Sequence, residues 1–242
     1  MKLSQGVAAV LLMATGAVAQ AEVTGTVTAV SDYDFRGVSL SAKDPALQGS
    51  IDWAAENGIY LGAWASNIDY GNAYDGDIEL DLYGGFAGET EAGLGWDVGL
   101  VYYTYPDSSG SATKSEIKDY PELYAGLTYS FFEVKQWYTN DYSGSDKDGF
   151  YTEGNANFEL PANFTLGLHL GYNYGDAFEG EDGAEDFDYL DYSLGVGYTL
   201  GHFVLNLKYV DNDLDEQTKD DVFNSEGRAI FSVSTTFPWS NE

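Results

Sequence analysis

The sequence of 242 residues contains no cysteine and little positive charge. Without cysteine, the chain can form neither a disulfide scaffold nor a thiolate metal site. Its 10 Lys and Arg residues stand against 40 Asp and Glu, a formal charge of −30. Phosphates repel so acidic a chain, so nucleic acid is not an expected partner. After the N-terminus, no run approaches the roughly 20 apolar residues of a membrane-spanning helix. Abundant Tyr (20) and Gly (29) indicate an acidic all-β protein instead of a disordered one.

The first 21 residues have the features of a Sec-type signal peptide. Lys2 supplies a positive charge, residues 7–18 form an apolar stretch, and Ala19-Gln20-Ala21 gives the small-x-small pattern of a cleavage site. A buried N-terminal helix is the alternative. We predict a signal peptide over residues 1–21 and one exported domain over residues 22–242.

The rest of the chain is dominated by alternation, which places successive side chains on opposite faces of a β-strand. Between residues 164 and 174, for example, Phe, Leu and Tyr alternate with Thr, Gly, His and Asn. Twelve such segments begin near residues 23, 45, 59, 77, 94, 119, 132, 150, 164, 188, 202 and 228. Short turns and long polar loops alternate between them, which is typical of a bacterial outer-membrane barrel with periplasmic termini. We predict an all-β fold, a 12-stranded antiparallel up-and-down transmembrane β-barrel, in the outer membrane of a Gram-negative bacterium.

A secreted, soluble β-sandwich or lipocalin-like barrel also alternates polar and apolar faces. Here the polar face is rich in Gly, Asn, Ser and Asp but poor in Lys, whereas a water-facing sheet usually carries many Lys and Glu. The apolar face has Tyr and Trp near the strand ends, as the aromatic girdles of a membrane barrel do. Both features favour the membrane barrel.

The sequence also resembles a known family. The similar stretches are SDYDFRGVS (31–39), PALQGSID (45–52), GIYLGAWASN (58–67), ELDLYGG (79–85) and ELYAGL (122–127). They resemble the TorF family (Gcw_chp), proteobacterial exported proteins that are described as porins without an established substrate. The resemblance implies an outer-membrane barrel with a channel role, and it carries over no functional residues.

If the apolar face contacts lipid, the other face lines a lumen, because charged residues facing lipid are unfavourable. The predicted pore-lining residues are the acidic Asp32, Asp34, Asp52, Glu79, Asp81, Asp97, Glu122, Glu133, Glu153, Glu159 and Asp191, the basic Arg36, Lys135, Lys208 and Arg228, and His169. One interpretation is a water-filled channel for small cationic or neutral solutes. The other is an interior network that fills the lumen and leaves a structural or adhesive barrel acting through its acidic loops.

Arg36 follows Asp34 and Asp32 at intervals of two residues. We therefore expect the three side chains on one face of one strand, about 6–7 Å apart. Arg36 would act either as a constriction charge or as a strut joining acids on neighbouring strands.

Two long loops, 176–188 and 211–226, are strongly acidic. They form either a solvated surface or a place where divalent cations bridge to anionic lipid headgroups. An EF-hand is not expected, because Glu216 stands where that loop requires Gly and Val222 where it requires Glu.

An enzyme is not expected either. The only histidines are His169 and His202, with no Gly-x-Ser-x-Gly elbow and no clustered His or Cys. We predict no catalytic residues, no cofactor and no bound metal within the barrel. Outer-membrane lipids and small solutes are the expected partners, and the sequence leaves a monomer or a homo-oligomer open.

Overall fold

The protein is described here by a computed structural model covering residues 22–180, 186–214 and 226–239. Twelve strands form one closed barrel in which each strand pairs antiparallel with its neighbours along the chain. They are β1 Glu22–Val30, β2 Ala46–Ala54, β3 Ile59–Asn67, β4 Ile78–Glu89, β5 Leu94–Thr104, β6 Tyr120–Tyr129, β7 Phe132–Thr139, β8 Gly149–Leu160, β9 Phe164–Tyr174, β10 Tyr189–Leu200, β11 Phe203–Asn212 and β12 Arg228–Phe237. Pairing of β1 with β12, with Gly25 opposite Phe237, closes the ring.

This architecture confirms the predicted 12-stranded antiparallel barrel. Every predicted segment begins within one residue of an observed strand. The predicted signal peptide over residues 1–21 lies outside the described residues, as do residues 181–185, 215–225 and the last three of the chain. Among the residues that are described, no helix is long and apolar enough to cross a membrane.

The outer wall carries the apolar half of the alternation. Leu61, Leu170 and Leu207 are 57%, 55% and 57% exposed there, far more than leucines packed in a core. Exposed aromatic side chains form a belt at each end of this wall. The belt at one end contains Phe86, Tyr129, Phe131, Phe132, Phe164, Phe203, Phe237 and Trp239, and the belt at the other contains Tyr102, Tyr172, Tyr192 and Tyr209. Leucine, valine and isoleucine cover the wall between the belts.

The connections differ at the two ends of the barrel. At one end, which we call the short-turn end, the strands are joined by residues 55–58, 90–93, 130–131, 161–163 and 201–202. Several of these tight turns need the left-handed backbone region, with φ of 59° at Ser130, 64° at Asn163 and 58° at Gly201. The other end, the long-loop end, carries the longer connections.

The long-loop end has some local structure of its own. Two 3₁₀ turns cover Tyr142–Gly144 and Asp176–Phe178. Tyr74–Asp75 and Ser115–Glu116 form a short parallel pair between two of the loops.

The first long connection turns back into the barrel. Asp34–Phe35 pairs with Val38–Ser39 in a small hairpin, and we call residues 31–41 the inner hairpin. At its tip Arg36 and Gly37 have φ values of 50° and 84°. The prediction that Asp32, Asp34 and Arg36 share one face of a strand is therefore wrong. Strand β1 ends at Val30, and the chain turns through the left-handed region at Arg36, so the period of two does not continue.

Candidate functional site in the lumen

Strand alternation places most of the predicted charged residues on the inward face. Thirteen of the sixteen lie on the strands β2 and β4 to β12. The other three, Asp32, Asp34 and Arg36, enter the lumen on the inner hairpin. Glu159, close to the short-turn end of β8, is exposed, whereas Glu79, Glu122 and Asp191 are each 1% exposed. The predicted residues therefore differ widely in how deeply they are buried inside the barrel.

Arg36 and Glu122 form a bidentate ion pair between the inner hairpin and β6. Arg36 Nη1 and Nη2 lie 3.0 and 2.6 Å from the two oxygens of Glu122, and the side chains are 6% and 2% exposed. The guanidinium stacks on Phe35 and Tyr151, at 4.7 and 4.3 Å from the ring centres. Tyr103 donates a further hydrogen bond of 3.0 Å to Glu122. Arg36 thus joins the hairpin to a single acid, not to acids on neighbouring strands.

A second set of ion pairs fastens the hairpin to β11 and β12. Arg228 pairs with Asp32 through Nε and with Asp34 through Nη2 at 2.7 Å. Lys208 Nζ lies 2.7 Å from the other oxygen of Asp34. Arg228 also donates to the carbonyl oxygen of Gly37 at 2.9 Å. The hairpin is therefore held across the lumen, with Glu122 on one side and Lys208 and Arg228 on the other.

Both the backbone conformation at the hairpin tip and the lack of room for a side chain require glycine at position 37. Its φ is +84°, and a Cβ at this position would lie 2.7 Å from Cβ of Asp191. Asn212 donates to the Gly37 carbonyl at 2.8 Å. The hairpin tip is thus in direct contact with β10 and β11.

An apolar cluster fills the rest of this region. Its buried members are Tyr33, Leu40, Ala46, Ile68, Tyr70, Val101, Tyr103, Tyr105 and Tyr120. Burial raises the pKa of the Tyr70 hydroxyl, in the loop after β3, well above its ordinary value. Sequence reasoning missed this cluster. A signal was available, because Val101, Tyr103 and Tyr120 are large residues at positions that alternate in phase with the inward acids Asp97 and Glu122.

Lys135 on β7 pairs with Asp97 on β5 across β6. The Nζ–Oδ2 distance is 3.5 Å, and both side chains are 4% exposed. Tyr60 donates to the other oxygen of Asp97 at 2.6 Å. Of the four basic residues predicted to line the lumen, each therefore pairs with a lumenal acid.

His169 on β9 lies within a polar network. Its Nε2 is 2.8 Å from Asp191 Oδ1 and its Nδ1 is 2.7 Å from Asn155 Oδ1. Asn155 in turn donates to Glu153 at 3.1 Å, which orients its amide so that the oxygen faces the imidazole. Among the described residues this arrangement includes no serine or cysteine nucleophile hydrogen-bonded to His169.

Most of the predicted lumenal acids have no Lys or Arg partner among the described residues. Of the eleven predicted acids, the four in ion pairs with Lys or Arg are Asp32, Asp34, Asp97 and Glu122. Seven have no such partner among the described residues: Asp52, Glu79, Asp81, Glu133, Glu153, Glu159 and Asp191. Asp52 instead accepts hydrogen bonds from Tyr83 and Ser50. The part of the chain that the structure describes contains no group of three or more His, Cys, Asp or Glu arranged for a metal ion.

The acidic loops lie largely outside the described residues. Glu181, Asp182, Glu185, Asp215, Glu216, Asp220 and Asp221 all fall there. Of the loop acids that are described, Asp188 accepts a hydrogen bond of 3.2 Å from Tyr172, and Asp213 accepts one of 2.6 Å from the backbone of Leu190. Binding of divalent cations by these loops stays a prediction.

Comparison with known proteins gives a family and a fold. The sequence pattern of a family described as "Bacterial protein of unknown function (Gcw_chp)" matches residues 14–237. Among solved structures, the KdgM porin has a TM-score of 0.54 at 9% identity, covering 90% of this chain and 99% of its own. The NanC porin has a TM-score of 0.54 at 9% identity, covering 90% and 100%. At such low identity the likeness shows the fold alone.

One curated protein matches part of the sequence. A microbial collagenase of Vibrio alginolyticus is 30% identical over 116 residues, which is 46% of this chain. The chain spans only 13% of that enzyme's length, so we do not carry its activity over. The name TorF, given to the family resemblance above, stays a prediction.

Proposed function

Because the chain belongs to the Gcw_chp family of bacterial proteins, whose function is unknown, the family brings no activity with it, and we propose that the protein is a passive outer-membrane channel for small cationic or neutral solutes. The observation that carries this proposal is a closed barrel with an apolar outer wall, and the acids predicted to line its lumen support it. Its role is that of a porin and not of an enzyme.

The outer wall supports the membrane location. Leucines that are more than half exposed would be unfavourable in water, whereas hydrocarbon is their natural environment. The two aromatic belts correspond to the two interfaces of a bilayer. Together with the predicted signal peptide, they support export and insertion in the outer membrane, with the long-loop end outside the cell.

Even without the buried pair Glu79 and Asp81, five acids have no Lys or Arg partner among the described residues, and they support cation preference. Fixed negative charge on a pore wall concentrates cations and repels anions. One structure of the KdgM porin contains disordered oligogalacturonate, which is an anion. The acids proposed to line the lumen of this chain would repel an anion, so we do not expect it to admit that class of solute.

The inner hairpin supports selection for small solutes. It crosses the lumen between Glu122 and Arg228 and buries its tip against Asp191. Any passage must therefore run beside the hairpin or open when the hairpin moves.

Conductance in planar bilayers tests the proposal. We expect purified mature protein to conduct, with a reversal potential in a KCl gradient that shows cation preference. Glu133→Gln and Glu153→Gln each remove one lumenal charge and should lower that preference. Asp188→Asn removes the same charge at the rim of the barrel, where the Asp188 carboxylate accepts a hydrogen bond from Tyr172. This variant should change the cation preference less. Anion preference would contradict the proposal.

A second candidate is a non-conducting structural or adhesive barrel that acts through its acidic loops. The apolar cluster around Tyr33, Leu40 and Tyr70 favours it, because this cluster packs the hairpin into the lumen as a core would. It predicts no conductance from the wild-type protein, together with altered envelope integrity or surface binding when a long loop is shortened.

Replacing residues 33–40 by a short Gly-Ser linker separates the two candidates. If the hairpin narrows a working channel, the wild type should conduct, and this variant should conduct more than the wild type. A silent wild type combined with a conducting variant would favour the structural barrel. Silence of both would contradict the channel, provided that both run as folded barrels by heat-modifiable electrophoretic mobility.

A further inference from the structure

Glu79 and Asp81 form a buried pair of carboxylates that the ion-pair network leaves out. They lie two residues apart on the inward face of β4, near its long-loop end. Their exposures are 1% and 8%, and Glu79 Oε2 and Asp81 Oδ1 accept no hydrogen bond from any described residue. Removing ions from water costs several kcal/mol each unless opposite charge or donors compensate. Something other than the observed side chains must supply that compensation.

The groups around the pair offer oxygen but little proton donation. Tyr33 donates a long hydrogen bond of 3.3 Å to Glu79 Oε1. Ser66 lies opposite Glu79 on β3 and uses its own proton on the carbonyl of Asn67. Tyr103 lies opposite Asp81 on β5, and it donates to Glu122. The site therefore has a surplus of acceptors.

Among the described residues, no basic side chain in the lumen is left to neutralise the pair. Arg36, Lys135, Lys208 and Arg228 are all engaged with other lumenal acids. None of the ion pairs among the described residues involves either carboxylate. The pair therefore needs either a cation that is not part of the chain or one proton on each carboxyl group.

We propose that Glu79 and Asp81 bind one divalent cation of the Ca²⁺ class through Glu79 Oε2 and Asp81 Oδ1. A single divalent ion neutralises both carboxylates, whereas one shared proton would leave a negative charge buried. Ca²⁺ takes oxygen ligands from carboxylates, neutral groups and water. Hydroxyl oxygens such as that of Ser66, together with water, complete the coordination. With only two acidic ligands we expect weak binding, with Kd about 10⁻⁴–10⁻³ M.

The bound ion would also stabilise the inner hairpin, because Tyr33 of the hairpin donates to Glu79. The site does not require the barrel to conduct. Its test therefore stands apart from that of the channel, and either proposal can fail alone.

Terbium, which replaces Ca²⁺ and emits when nearby tyrosines are excited, is the probe. The mature protein in detergent should show a saturable component of sensitised emission that added Ca²⁺ displaces. Glu79→Gln and Asp81→Asn should each weaken this component by about tenfold or more, since even outer-shell partners of metal ligands are worth that much. Asp52→Asn is the matched control. It removes the same charge from the neighbouring β2, but both oxygens of Asp52 already accept hydrogen bonds.

A second measurement separates a cation from a proton. Ca²⁺ should raise the thermal unfolding temperature of the wild type and of Asp52→Asn, but not that of Glu79→Gln or Asp81→Asn. Emission that titrates identically in all four proteins would refute the site. So would a Glu79→Gln variant that is more stable than the wild type in EDTA and in Ca²⁺ alike, because that result identifies a shared proton. Heat-modifiable mobility confirms that each variant is folded.

Discussion

The buried pair between Arg36 and Glu122 should be a major determinant of how firmly the inner hairpin is held. Glu122→Gln removes the negative charge and leaves a guanidinium that is 6% exposed with no anion. Removing one partner of a buried pair costs about 3–5 kcal/mol, because the remaining ion stays desolvated. The rings of Phe35 and Tyr151 still face the guanidinium, but cation–π contacts are worth only about 0.5–2 kcal/mol each. We therefore expect Glu122→Gln to lower the free energy of unfolding by about 3–5 kcal/mol.

The double variant R36M/E122Q is the matched control. It removes both charges, and its glutamine can still accept the hydrogen bond from Tyr103. Replacing a buried ion pair by groups of similar volume is often close to neutral. The double variant should therefore be more stable than either Glu122→Gln or Arg36→Met, and the cycle should give a coupling of about 2–3 kcal/mol.

Urea unfolding of the protein in liposomes, followed by tryptophan fluorescence, measures these differences. Trypsin supplies a second readout, because Arg36 is buried in the wild type and becomes cleavable if the hairpin leaves the lumen. An E122Q protein within about 1 kcal/mol of the wild type and still resistant at Arg36 would refute the reasoning. So would a double variant no more stable than the single ones.

Three further predictions follow from the wall, the hairpin tip and the loops. Leu170→Arg places a charge on the outer wall, where Leu170 is 55% exposed, and should lower the free energy of unfolding in a bilayer by about 2–4 kcal/mol. Urea unfolding in liposomes measures this change, and a value near zero would indicate a wall that contacts water. Gly37→Ala should lower the free energy of unfolding by about 1–3 kcal/mol, because the new Cβ would lie too close to the side chain of Asp191. Unchanged urea unfolding together with unchanged trypsin resistance would contradict this prediction. If divalent cations bridge the acidic loops to lipid headgroups, EDTA should lower the thermal stability of E79Q/D81N in anionic liposomes but not in neutral ones. No effect of EDTA in either kind of liposome would count against bridging by these loops.

Much of the fold follows from the sequence because the strand period is short and local. Alternation from Phe164 to Tyr174 depends only on neighbours two residues apart, and the turns are marked by polar residues and glycine. A barrel wall with an apolar outer face and a more polar inner face enforces this alternation on every strand. Strand starts could therefore be placed within one residue.

The same local reasoning failed at the first long loop. A period of two was extended through Asp32, Asp34 and Arg36, although Arg36 has a φ of 50° and the chain reverses there. The adjacent Gly37 was a hint of a turn, because glycine favours such conformations. Nothing in the spacing of these residues indicated that the loop folds inward instead of outward.

What the sequence by itself determined is the barrel: the number of strands, their order and the alternation along each of them. What only the tertiary structure decided is how the charged side chains pair. Arg36 meets Glu122, which is 86 residues away, and Arg228 meets Asp34 across the closing seam of the barrel. Such pairs depend on barrel closure and on a hairpin that folds through the middle. Glu79 and Asp81 have no cationic partner in the described part of the chain for the same reason, since the four basic lumen residues pair with other acids.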